Sequence, residues 1–219
     1  QPTVRELSPP PAHHAFRRLG GCVFFILIGA GFMFVEVFFI HTLILPLGSP
    51  VKAFASTLVV LLAGCGAGGL SSRNLGPKGA GLYMLLGPLL LSVSVLCLPL
   101  VRASFFLIFL ALLSSVPLGV FFPSGLRLLC TSEEAAIPLA YALNGAASIV
   151  APPLASLVAS TTGLRTLLAW SSGIYWAAGL MFVLLLLPSR GLGREKPVPV
   201  SRGPRTAESK PFERDSTRI

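Results

Sequence analysis

The stretch GFMFVEVFFI, residues 31–40, sets a single carboxylate, Glu36, among Phe, Val, Met and Ile. An ionised carboxylate at the centre of a membrane helix costs about 3 kcal/mol on insertion scales. It must therefore face protein, find a partner or take up a proton, and intramembrane acids are commonly ligand or proton sites. At helical spacing Gly29, Met33, Glu36 and Ile40 share one face, with His41 at the outer end. A structural role is equally open, with the carboxyl hydrogen-bonded to Asn144 or to a carbonyl freed by a proline.

A second candidate is PLAYALNGAASIVAPPLASLVAS, residues 138–160. Ala140, Asn144, Ala147, Ser148 and Ala151 fall on one face, and small residues so arranged let helix backbones come close. Asn144 is an amide at lipid depth and is expected to hydrogen-bond across helices. Pro152 and Pro153 are expected to bend the helix. The face is either a packing seam tied by Asn144 or part of a solute path. Glu36, His41, Asn144 and Ser148 are thus the candidate residues for a substrate or ion path.

PLGVFFPSGLRLL, residues 117–129, supplies kink residues Pro117 and Pro123, close-packing residues Gly119 and Gly125, and Arg127 at the helix end. There a cation favours the C-terminal dipole and can snorkel. A gating helix and an ordinary proline-bent helix are both consistent with this pattern. GAGGLSSRNLGPKG, residues 66–79, ends a helix in Gly66, Gly68 and Gly69, then places Arg73 and Lys78 at an interface. The latter resembles the loop between the second and third helices of major facilitator superfamily transporters. Arg73 and Gly76 match that motif, while Ser71 and Ser72 stand where it has an acid.

These residues need long apolar elements to position them. Six blocks reach the roughly 20 residues that a helix needs to span a bilayer: about 20–45, 52–71, 80–101, 105–126, 136–160 and 165–187. Short connections make sequential helices antiparallel neighbours. Residues 1–19 read as a Pro-rich polar linker, and 188–219 as a basic, disordered tail. The start at Gln1 suggests a processed chain or a piece of a longer one.

The composition agrees, with mean hydropathy +0.81 and only 11% charged residues, against about 25% in soluble domains. Net charge is +9, and eight of the 17 basic residues follow residue 187. This is the bias of a cytoplasmic flank and does not call for a nucleic-acid partner. With the N-terminus in the cytoplasm, Arg17, Arg18, Arg73, Lys78, Arg127, Arg190, Arg194 and Lys196 lie inside, and only Lys52, Arg102 and Arg165 outside. Cys22, Cys65, Cys97 and Cys130 form no CxxC and have no nearby His, so they read as small apolar residues, with no metal or cofactor.

GFMFVEVFFIHTLILPLGSPVKAF, FFPSGLRLL and PLAYALNGAASIVAPPLASL together resemble the membrane portion of bacterial spermidine synthase-like fusion proteins, over about residues 25–185. His41 stands where that family has Gln. The resemblance implies a facilitator-like six-helix half in a bacterial inner membrane. It does not extend to the family's nucleotide-binding domain, for which the six blocks leave no room. The expectation is an all-α, non-enzymatic membrane domain embedded in the lipid bilayer. It either binds or transports a small solute, or serves as an accessory subunit or anchor beside another membrane subunit or a second copy.

Overall fold

A computed structural model describes residues 12–97, 104–129 and 136–186. They form six helices: α1 (Ala12–Leu47), α2 (Pro50–Ser72), α3 (Pro77–Cys97), α4 (Ser104–Leu129), α5 (Ala136–Thr162) and α6 (Leu164–Leu186). All six are long and apolar enough to cross a membrane, as the sequence leads one to expect. In lipid a backbone must satisfy its own polar groups, and a helix does so within one segment. Arg102, Cys130 and the expected tail from residue 188 lie outside the described residues. So does 1–11 of the expected linker. α1 begins at Ala12, eight residues before the apolar block.

The helix ends carry recognisable signals. Gly48 (φ 66°) and Gly163 (φ 93°) stop α1 and α5 in the left-handed region that favours glycine. Their N–H groups donate to Ile44 O and Ala159 O at 2.9 and 3.1 Å. Ser49 is extended, and Pro50 then starts α2 at a position where its missing N–H costs nothing. Pro117, Pro123, Pro152 and Pro153 all lie inside continuous helices, as does Pro88 of α3. The prolines therefore remove donors without ending the elements.

Packing follows a repeat. α1 packs most extensively on α5, and α2 on α4; α1 also packs on α6, α3 on α4, α3 on α6, and α1 on α4. Exchanging α1 with α4, α2 with α5 and α3 with α6 maps this set onto itself. Because sequential helices alternate in direction, the exchange inverts the chain. The contacts of α1 on α2 and of α5 on α6 have no counterpart of similar extent among the described residues.

The core is aromatic: Phe24, Phe25, Phe38, Phe39, Phe121, Tyr175 and Phe182 are all at most 2% exposed. Phe121 meets Tyr175 edge-on, with ring centroids 5.1 Å apart, a favoured aromatic geometry. On α5 only Ala140, Ala151 and Ala155 are buried. Most of its large side chains, including Ile149, Val150 and Leu157, are exposed, while Leu143 and Val158 pack partly against the core.

Close approach occurs where side chains vanish. On α2, Gly64 and Gly68 face α4: a Cβ on Gly68 would stand 2.9 Å from the Val116 carbonyl carbon and 3.2 Å from Gly119 Cα. Gly66 has open space around it, and Gly69 only an ordinary contact. The approach expected at Gly66, Gly68 and Gly69 is thus made by Gly64 and Gly68, four residues apart on one helix face.

Candidate functional site

The α1–α5 contact is built on Gly29. A Cβ there would meet Asn144 O at 2.6 Å, Asn144 Nδ2 at 2.9 Å and the Ala147 Cβ at 3.3 Å. The missing side chain lets Asn144 reach across and donate from Nδ2 to Phe25 O at 3.3 Å. Ser148 donates back to Asn144 O at 2.9 Å. Gly119 of α4 meets α2 in the same manner, over the backbone of Cys65.

Between these two contacts lies a cavity of about 200 Å³, lined among others by Gly29, Cys65, Gly119, Asn144, Ser148 and Tyr175. Its lining shows the repeat in residue pairs. Adding 90 to Ile28, Gly29 and Phe32 of α1 gives Leu118, Gly119 and Phe122 of α4, and all six line the cavity. Adding 79 to Cys65 of α2 gives Asn144 of α5, also in the lining. The cavity therefore sits where the two three-helix units meet.

Polar valence at the cavity is sparse and uncharged. Cys65 Sγ donates to Ser115 O at 3.4 Å. Tyr175 is 2% exposed, and its hydroxyl has no hydrogen-bond partner among the described residues. Two lining residues carry carbonyls without a helical donor. Pro123 has no N–H for Gly119 O, and Pro152 has none for Ser148 O. Among the described residues no Asp, Glu, Lys, Arg or His belongs to the lining.

Glu36 and His41 stand apart from this cavity. Glu36 is buried, 9% exposed, two turns beyond Gly29 on the same face of α1. α1 and α5 run parallel, so the register that puts Gly29 opposite Asn144 and Ala147 carries Glu36 to the level of Ala151 and the two prolines. Its carboxyl has no hydrogen-bond or ion-pair partner among the described residues. His41 is exposed, and its Nδ1 lies 2.8 Å from Val37 O of its own helix. Of the four candidate path residues, the structure brings Asn144 and Ser148 together at one cavity and leaves the other two elsewhere on α1.

At the far end of α4, Arg127 reaches the turn after α2. It donates from Nη1 to Arg73 O at 3.2 Å, and from Nη2 to Leu75 O at 3.3 Å and to Ser72 O. Those carbonyls lie at and just beyond a helix C-terminus, where a guanidinium is favoured. Arg73 and Lys78 themselves are exposed. Gly125 packs its bare Cα against the Phe24 ring.

Cys65 and Tyr175 were not legible as site residues. So too the α3–α6 polar seam, where Ser92 Oγ lies 2.8 Å from Ser172 Oγ, Ser172 donates to Pro88 O at 3.1 Å, and Trp176 Nε1 donates to Ser92 Oγ at 3.2 Å. The signal for the seam was Pro88 with two in-span serines, visible only once α3 and α6 are known to touch. Among the described residues no cluster of three potential metal ligands occurs. Compared with family models, with curated proteins and with solved structures, the chain matches none.

Proposed function

We propose that this chain is a non-catalytic, polytopic membrane domain that binds a small solute at the junction of two inverted three-helix units. The observation that carries the reading is the cavity itself, lined by repeat-related residues from α1, α2, α4 and α5. In many transporter folds solute sites lie at such repeat interfaces, flanked by interrupted backbone. The inverted packing and the odd-to-even helix exchange also support a facilitator-like half-bundle, the architecture implied by the resemblance to spermidine synthase-like fusion proteins. The distribution of Lys and Arg supports cytoplasmic termini in a bacterial inner membrane.

Native mass spectrometry of the protein released from its membrane tests this. The expected result is a retained small-molecule adduct that is lost in Ser148→Leu. Protein without adduct in both forms would reject the solute-binding reading. A second reading, an accessory subunit or anchor, draws on α5, which buries only three of its residues within the chain. A dimer mass, or a co-purifying membrane protein without any adduct, would favour it.

A further inference from the structure

We infer that the cavity takes a neutral, ring-sized molecule bearing a hydroxyl group, and excludes cationic solutes; this rests on the solute-binding reading above. Size sets the first limit. A cavity of about 150 Å³ lined by Leu, Ile and Phe accepts benzene, so one of about 200 Å³ has room for a substituted single ring. The walls set the second. Ile28, Phe32, Leu118, Phe121 and Phe122 supply apolar and aromatic surface, suited to offset or edge-on ring contacts.

Polar groups set the third limit. Tyr175 lines the cavity, its hydroxyl has no hydrogen-bond partner among the described residues, and it can donate to a ligand oxygen. Gly119 O and Ser148 O lack their helical donors, and can accept from a ligand O–H. A hydroxyl both donates and accepts, so it meets both needs at once, whereas a plain hydrocarbon leaves these groups unmet. Charge sets the last. A cation buried without a carboxylate keeps most of its desolvation cost, and the nearest intramembrane acid, Glu36, is two turns along α1 from the lining residue Gly29. Freed carbonyls are also the groups that bind cations in some transporters, so the cation is the rival that the experiment must include.

Fluorine NMR in lipid nanodiscs, with empty nanodiscs as the blank, can compare 4-fluorophenol, fluorobenzene and 4-fluorobenzylammonium. Wild-type protein is expected to bind 4-fluorophenol in preference to fluorobenzene and to leave the ammonium at the blank value. Tyr175→Phe keeps the ring and removes only the hydroxyl. It should weaken 4-fluorophenol about fivefold, one hydrogen bond's worth, and change fluorobenzene less than about twofold. Ser148→Leu, or Cys65→Leu if the former does not fold, should abolish both. Ammonium binding that Ser148→Leu removes would refute the neutral-ligand inference and leave solute binding intact. Equal losses of both neutral probes in Tyr175→Phe would refute the role of the hydroxyl, and with it the hydroxyl-bearing ligand. No probe above the blank in wild type would overturn the inference, while a native adduct lost in Ser148→Leu would still separate that outcome from failure of the solute-binding reading.

Discussion

Replacing Gly29 by Ala adds one methyl group, and the structure says where it goes. It would sit 2.6 Å from Asn144 O, against roughly 3.3 Å for the closest comfortable carbon–oxygen approach. α1 and α5 must then part by about 0.7 Å. A radial gap of that size forfeits about a quarter to a half of each affected dispersion contact, and overpacking of this kind costs about 1–3 kcal/mol. The obstacle is backbone, so no side-chain rotation relieves it. Helix propensity works the other way, returning at most about 1 kcal/mol for Gly to Ala. Gly145, the neighbour of Asn144 on α5, has nothing within 4 Å of its would-be Cβ, so Gly145→Ala collects the propensity without the clash. Gly29→Ala should therefore be less stable than Gly145→Ala by about 1–3 kcal/mol. Reversible unfolding in mixed micelles, followed by helical circular dichroism, reads the difference. Equal stability of the two variants would refute the α1–α5 register, and with it the position of the cavity.

Arg127→Ala should cost about 1 kcal/mol, a charge-assisted contribution reduced by solvent exposure, and raise amide hydrogen exchange in the turn after α2; unchanged exchange there would mean that the guanidinium contacts are not maintained in the membrane. Glu36→Gln should leave thermal stability within about 1 kcal/mol, because no partner of the carboxyl is lost; a larger loss would reveal a bond that the structure does not contain. Ser172→Ala should destabilise by about 0.6 kcal/mol, the average for interhelical polar contacts in a membrane bundle, and should shift Trp176 fluorescence; an unchanged spectrum would argue against the α3–α6 seam. In a cysteine-free background, Asn74→Cys should be labelled from the cytoplasmic face and Ser49→Cys from the opposite face; labelling of both from one side would overturn the proposed topology.

The number, length and order of the six helices were legible in the sequence because bilayer thickness imposes a minimum apolar run, and each of the six blocks meets it. The small face of α5 was legible too: Ala140, Asn144, Ala147, Ser148 and Ala151 recur at helical spacing, and the structure turns that face onto α1. Which glycines of α2 touch a neighbour was not. Gly64, Gly66, Gly68 and Gly69 look alike in the chain, and only the position of α4 selects the first and third. In water a polar outer face would have marked the phase of each helix. In lipid the outer face is as apolar as the inner one, so burial leaves little trace in the pattern. The same indifference hid Cys65 and Tyr175, which lie more than a hundred residues apart and become neighbours of one cavity only when α2 and α6 pack around α1 and α4. Glu36 shows the converse. Its cost in lipid was readable from the sequence and fits its burial, but its distance from Asn144 depends on the parallel register of α1 and α5, which tertiary packing alone decides.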